Sequence, residues 1–335
     1  MTWNVFITDL DMEHTELERA ELATIGAHLT RVQCLSEDDV IHKCQRADAL
    51  MVQWAPITRR VIDHLPNLKA ISRYGIGYDM IDVKAAAERG IPVCNVPDYC
   101  TEEVATHAFT LLLASARKLI PLAASTAAGS WSVLDVARPV HRLGGQVLGL
   151  VGGGRIGRQL AAMAGSCGLQ VIIHDPYAEH AGTKASGSYV SWEALLSRSD
   201  FISIHCPLND ETAGMFNHDA FQKMKPNAVL INTSRGGVVD TEALIAALRN
   251  GTIGGAAIDV LADEPPQPGT LPSNTPNLIV TPHAAWYSEE ALDALQQGTA
   301  RAIVDLYCSK LPASVVNGIK RIQVALEGQC SLLDL

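Results

Sequence analysis

The chain has 335 residues, long for a single core and comfortable for two domains. Hydrophobic residues make up 47% and charged residues 19%, a globular composition rather than a disordered one. The formal charge of −10 weighs against nucleic acid as a partner, and it leaves any anionic substrate dependent on a local basic group.

Residues 5–8 read as a strand. The opening apolar stretch then meets Asp9, Asp11 and Glu13 almost at once, so no secretory leader is expected. Residues 13–25 read as a helix and 29–34 as a second strand. Further short apolar runs follow at 49–52, 68–72 and 92–94. This alternation is βαβ grammar and implies a parallel sheet covered by helices. Just past the run 68–72 stands RYGIGYD, residues 73–79. Two glycines two apart at a strand end expose backbone N–H groups that can form a nest for a carboxylate; the alternative is a simple strand-to-helix turn.

Residues 101–125 give a long helical pattern too apolar for a solvated face. They read as one buried helix at a domain junction, with a subunit interface as a further use. Residues 129–145, with Trp131, Pro139 and three glycines, read as irregular.

A second α/β unit begins at Gln146. The apolar run VLGLV, residues 147–151, leads into Gly152-x-Gly154-x-x-Gly157 and then a helix over 155–167. Gly152 permits the tight turn, Gly154 lets backbone approach a pyrophosphate, and Gly157 lets the helix lie close to the sheet. The first helical residues, Arg155 and Ile156, then offer unpaired N–H groups to phosphate. Asp175 stands 18 residues beyond Gly157 (175 − 157), close to the spacing of a ribose ligand. A carboxylate there accepts from ribose hydroxyls and repels a 2′-phosphate, which favours NAD over NADP. Its plainer reading is a turn residue before Pro176.

Later strands are expected at 201–205, 228–232, 255–260 and 278–281, after one at 170–174. Arg235 follows the second of these, Glu264 the third and His283 the last. Carboxyl ends of strands in an open parallel sheet face one crevice, so the three can converge. Arg235 can hold a carboxylate bidentately and polarise a neighbouring carbonyl. His283 can give or take a hydroxyl proton, and Glu264 can hydrogen-bond and orient the imidazole. Taken singly, each has a bland alternative: a loop salt bridge, a solvated acid before proline, a packed histidine. The proline-bearing stretch 263–276 reads as a loop, 289–306 as a helix, and the tail after Pro312 as loosely held.

The eight cysteines form no C-x-x-C pair and read as buried or partly buried thiols. No metal site is expected. No apolar window approaches about 18 residues without charge, so no membrane partner is expected and the cytoplasm is the default compartment.

These stretches together resemble the D-isomer-specific 2-hydroxyacid dehydrogenases, over nearly the whole chain. The supporting segments are YGIGYDMID (74–82), CNVP (94–97), LGLVGGGRIG (148–157), TSRGGVVD (233–240), GAAIDV (255–260) with Glu264-Pro265, and TPH (281–283). The resemblance implies an α/β architecture of two Rossmann-like or flavodoxin-like parallel-sheet domains. The catalytic, substrate-binding domain would comprise 1–100 and 290–335, with an NAD-binding domain, 101–289, inserted in it. It further implies a homodimer and a small 2-keto or 2-hydroxy acid substrate. Arg235 would bind the substrate carboxylate and carbonyl, with His283 as general acid/base and Glu264 as its support. Asp259 would receive the nicotinamide carboxamide, and Thr233, Cys206 and Pro207 would line the cofactor side. The backbone of Ile76 and Gly77 would take the substrate carboxylate, with Tyr78 beside it.

Two departures stand out. Met80 replaces the usual Asn after Asp79, and Gln53 stands where phosphoglycerate dehydrogenases usually carry Arg, which disfavours a phosphorylated substrate. The segment HAAWYS, residues 283–288, resembles the C-terminal binding proteins. Trp286 would then line the pocket and favour an apolar or sulfur-containing acid. Three readings stay open on the sequence: a glyoxylate/hydroxypyruvate reductase-like or broader 2-keto acid reductase, an NAD(H)-sensing, corepressor-like interaction protein, and a catalytically idle dehydrogenase fold kept as a structural dimer.

Overall fold

A computed structural model describes residues 2–180, 186–267 and 275–321. Residues 268–274 of the expected proline-bearing loop, and the expected loose tail beyond residue 321, lie outside the described residues. The chain divides into two compact units, Met1–Tyr99 with Ser288–Leu335, and Cys100–Tyr287.

The first unit opens with β1 (Asn4–Ile7), α1 (Glu16–Ala23), β2 (His28–Arg31), α2 (Glu37–Lys43) and β3 (Ala49–Val52). It continues through α3 (Arg59–His64), β4 (Ala70–Arg73), α4 (Val83–Glu88) and β5 (Val93–Cys94). The strands form one parallel sheet in the order β2-β1-β3-β4-β5, a flavodoxin-like arrangement. Every residue of β3 and β4 is buried, as expected of inner strands covered on both faces. Leu50, Val52 and Ile71 pack with Val40, Ile62 and Ala86 in the core. The short helices α2, α3 and α4 begin at Ser36, Thr58 and Asp82, whose side chains accept the backbone N–H three residues on.

The second unit begins with α5 (Thr101–Ala116), α6 (Leu119–Ala127) and α7 (Leu134–Ala137). The single helix expected over 101–125 is therefore broken. Lys118 takes φ 51°, a left-handed conformation that stops α5, and α6 leaves at 62° to it. Only α5 matches the expected burial: Ala105, Ala108 and Leu112 pack on Leu150, Leu160 and Ile231, whereas no residue of α6 is buried.

The sheet follows with β6 (Val147–Val151), α8 (Arg155–Ser166), β7 (Gln170–His174), α9 (Pro176–His180), β8 (Ser188–Tyr189), α10 (Trp192–Arg198) and β9 (Phe201–Ile204). It is completed by α11 (His218–Lys223), β10 (Val229–Asn232), α12 (Thr241–Arg249), β11 (Gly255–Ile258) and β12 (Leu278–Val280). All seven strands are parallel, in the order β12-β11-β10-β9-β6-β7-β8. The order reverses at β6, which pairs with both β7 and β9. That topological switch point is where open α/β sheets place their ligands.

The chain returns to the first unit with α13 (Glu289–Tyr307), capped by Ser288 and packed on α1 and β4. No single described helix is long and apolar enough to cross a membrane; the bent pair α5–α6 meets the length and composition only when taken together. Cys34, Cys44, Cys94 and Cys100 are buried free thiols, Cys206 is half-buried and Cys167 exposed. Cys308 is disulfide-bonded, which corrects the thiol reading at that position.

Candidate active site

The glycine-rich turn follows β6 directly. Gly152 has φ 102°, and a Cβ there would lie 2.8 Å from the His205 carbonyl carbon. A Cβ on Gly157 would lie 2.3 Å from the Gly152 carbonyl oxygen, so α8 can approach the turn only because that atom is missing. Gly154 faces open space and caps α8 without a side-chain hydrogen bond. α8 opens at Arg155 and Ile156, and its N-terminus, where helix amides meet anions, follows the glycine turn directly. The Ile156 side chain packs into the core beneath.

Asp175 follows β7. Its Oδ2 accepts the Gly153 amide at 2.7 Å, and its Oδ1 accepts the amides of Tyr177 and Ala178 at 3.1 and 2.9 Å. The turn reading of this residue holds, since it caps the turn before α9; its other oxygen reaches the glycine loop. On the other side of β6, Cys206 follows β9 and its carbonyl accepts from Ser234 Oγ. Burial pushes the Cys206 thiol up to about 11. Pro207 is exposed beside it, with its carbonyl bonded to Thr212 Oγ1 at 2.6 Å. Thr233, just past β10, is buried, and its Oγ1 has no hydrogen-bond partner among the described residues. An orphaned hydroxyl, a helix N-terminus and a carboxylate around one switch point fit a dinucleotide.

Arg235 lies in the loop after β10. Asn232, itself buried, shapes that loop: its Nδ2 donates to the Arg235 carbonyl at 2.9 Å and its Oδ1 accepts from Ser234 N at 3.0 Å. At Gly236 a Cβ would fall 1.9 Å from the Leu261 carbonyl carbon, so the loop after β10 lies flat on the loop after β11. Glu264 belongs to the latter loop. Its Oε1 accepts the Leu261 amide at 2.6 Å, and its Oε2 meets His283 Nδ1 at 2.6 Å. Burial raises the Glu264 pKa, but the hydrogen bond and charge of His283, the Leu261 amide and the Arg235 charge outweigh it, leaving the carboxyl below its ordinary range. The three residues separated by the sequence are thus brought together within the second unit.

His283 takes φ 53°. Its amide donates to the Asp259 carbonyl at 2.7 Å, and the next two amides, Ala284 and Ala285, donate to Oδ1 and Oδ2 of Asp259, both at 2.9 Å. Asp259 is buried, which alone would raise its pKa. His107, the Thr281 hydroxyl and the two amides reverse that and hold it at about 2. Trp286 is half-buried and packs edge-on against Tyr287, with ring centroids 5.6 Å apart.

In the first unit, the Gly75–Gly77 loop follows β4. The Gly75 carbonyl accepts from Val96 N at 3.0 Å and the Ile76 carbonyl from Asn95 Nδ2 at 2.8 Å. The amides of Ile76 and Gly77 donate to nothing among the described residues, as a carboxylate nest requires. Tyr78 packs against the first unit's core together with Met80, so the unusual Met supports this loop through apolar contact.

Two residues that sequence reasoning missed organise these loops. Asp9, buried after β1, accepts the amides of Gln53, Trp54 and Ala55 and so fixes the segment after β3. His107, on α5, touches Asp259 and Thr281. A lone acid ending an apolar strand, and a lone histidine in an apolar helix, were the available signals.

Residues 109–285 match the family described as "D-isomer specific 2-hydroxyacid dehydrogenase, NAD binding domain". A glyoxylate reductase of Thermococcus litoralis is 38% identical over 288 residues, covering 83% of this chain and 86% of its own. An NADPH-dependent glyoxylate/hydroxypyruvate reductase from Sinorhizobium meliloti, solved with NADP and malonate, superimposes with TM-score 0.84 at 28% identity, over 97% of this chain and 100% of its own. D-lactate dehydrogenase from Aquifex aeolicus, solved with NAD and lactic acid, gives TM-score 0.80 at 27% identity, over 90% and 95%.

Proposed function

The chain belongs to the D-isomer specific 2-hydroxyacid dehydrogenase family, and on that premise we propose that it interconverts a small 2-keto acid and its D-2-hydroxy acid with NAD(H), using Arg235, His283 and Glu264. A nicotinamide held there would supply or accept the hydride. In the reductive direction Arg235 holds the substrate carboxylate and polarises the keto oxygen. His283 delivers a proton to that oxygen as it becomes a hydroxyl, and in the oxidative direction it takes the proton back. Glu264, kept ionised by its surroundings, orients the imidazole and stabilises its cationic form. The family resemblance assigns the amides of Ile76 and Gly77, in the first unit, as further carboxylate donors, and Tyr78 and Trp286 as substrate-binding residues.

The cofactor is assigned to Gly152, Gly154, Gly157, the α8 amides of Arg155 and Ile156, Cys206, Pro207, Thr233 and Asp175. Asp175 supports NAD rather than NADP, since a carboxylate so close to the glycine loop repels a 2′-phosphate. Asp259 receives the carboxamide in this reading while also holding the loop of His283. Six free thiols among the described residues support the cytoplasm as its compartment, against the single disulfide at Cys308, and the exposed apolar surface of α6 and the segment after it supports a homodimer.

The observation that carries the reading is the 2.6 Å contact of His283 Nδ1 with Glu264 beside Arg235. The test is steady-state turnover with NADH or NADPH and glyoxylate, hydroxypyruvate, pyruvate, phenylpyruvate and 4-methylthio-2-ketobutyrate. We expect turnover with NADH preferred, and His283→Ala to lose about 10²–10⁴-fold in kcat. Tight NADH binding without oxidation by any 2-keto acid would sink the enzymatic reading and favour a corepressor-like sensor. Preference for NADPH would sink the assignment of Asp175.

A further inference from the structure

We propose that His107 is a positioning residue for the reaction: through Thr281 and Asp259 it sets the backbone that presents His283. This rests on the assignment of His283 as the acid/base group. His107 lies midway along α5, a helix packed on β10 and β11. Its Nε2 is 3.1 Å from Thr281 Oγ1 and 3.5 Å from Asp259 Oδ1. The Thr281 hydroxyl donates its one proton to Asp259 Oδ1. The Thr281 oxygen can therefore only accept from His107, which fixes Nε2 as the protonated nitrogen.

Asp259 in turn holds the start of the His283 loop at three points: its carbonyl takes the His283 amide, Oδ1 the Ala284 amide and Oδ2 the Ala285 amide. A left-handed residue followed by two amides aimed at one carboxylate is an anion nest, here filled by the protein's own side chain. His283 keeps φ 53° against the ordinary preference of a non-glycine residue because that nest is occupied. Asp259 is buried with no lysine or arginine paired to it among the described residues. His107 is its only ring or side-chain nitrogen donor there, and removing it leaves a buried carboxylate under-compensated. The chain of contacts thus runs from α5 through Thr281 and Asp259 to the backbone of His283. The imidazole contact with Glu264 orients the ring at the other end.

The experiment uses the full chain with NADH and the 2-keto acid it turns over fastest. His107→Leu removes the Nε2 donor, His107→Gln returns an amide N–H to the Nε2 position, and His107→Asn places one at the Nδ1 position instead. We expect His107→Leu and His107→Asn to lower kcat about tenfold, as a slightly misplaced catalytic group does. The KM for the acid should stay within about twofold and the NADH Kd by fluorescence within about threefold, while His107→Gln recovers most of kcat. If His107→Leu does not fold, the contrast between Gln and Asn carries the test. Parent-like kcat in His107→Leu or His107→Asn, or a Gln variant no better than Asn, overturns the proposal. A His283→Ala variant run alongside separates the two ideas. Should it turn over normally, the acid/base assignment fails, whatever the His107 variants do.

Discussion

Asp259 is the residue on which most of the site's local order converges. Its carboxyl ordinarily titrates near 3.8 and here lies at about 2. The folded value is below the unfolded one, so the ionised group stabilises the fold above about pH 4. That contribution, about 2 kcal/mol, is lost as the pH falls from 4 towards 2. Asp259→Asn keeps the shape and removes the charge. The difference in melting temperature between parent and variant, followed by circular dichroism, should be constant from pH 7 to 5 and shrink below pH 4. A difference that does not change down to pH 2.5 would show that the charge is not what holds the loop. Arg235, Glu264 and His283 were legible as a set because each follows an apolar strand run and their chemistries complement one another. The role of Asp259 as a loop anchor was not legible. Its partners are the amides of Ala284 and Ala285, and amides carry no residue-type signal. The same holds for Asp9, whose partners are also backbone N–H groups.

At the scale of elements, β6, the glycine turn and α8 form the most sequence-determined piece. Four of the five residues of β6 are buried, and Gly152 and Gly157 sit where no Cβ fits. Two glycines of the same helix give opposite predictions. Gly157→Ala puts a methyl 2.3 Å from the Gly152 carbonyl and must push α8 off the turn. NADH binding, measured by fluorescence titration, should weaken at least about tenfold, since the phosphate donors move with the helix. Gly165 has nothing within 4 Å of where a Cβ would stand, so Gly165→Ala should leave NADH affinity unchanged and raise stability by about 0.5–1 kcal/mol through helix propensity. Equal behaviour of the two variants would show that close packing at Gly157 does not set the cofactor site. The strands other than the two-residue β8 were readable from apolar runs and turns, whereas α2, α3 and α4 were not. At six or seven residues each, they are too short to show a 3.6-residue period, and only their capping Ser36, Thr58 and Asp82 mark them. The break at Lys118 was legible only in part: Pro121, three residues on, has no N–H for the Arg117 carbonyl of a continuing helix. The apolar pattern runs on through it, and nothing in a lysine announces a left-handed φ.

For the whole molecule, that break matters because it separates a buried helix from an unburied one. Leu119 and Ile120 at the start of α6 are exposed, as are Trp131, Val133, Leu134 and Val140. Trp131 is 93% exposed, more than any other large apolar side chain described. Such a concentration within little more than twenty residues exceeds the scattered apolar exposure usual on a monomer, and it calls for a covering surface. A second copy of the chain is the occupant we assign to it, because the family resemblance places a dimer contact at the helix after Pro97 and the segment beside it. In such a pairing, burial of these side chains at about 25 cal/mol per Å² would supply the association energy. Replacing Trp131 and Leu134 together by Glu should convert a dimer into a monomer in sedimentation velocity at micromolar concentration. NADH binding should persist in that monomer, since the glycine loop, Asp175 and α8 are all internal to the unit Cys100–Tyr287. A parent protein that sediments as a monomer, or a double variant that remains dimeric, would remove the second copy as the explanation of this surface.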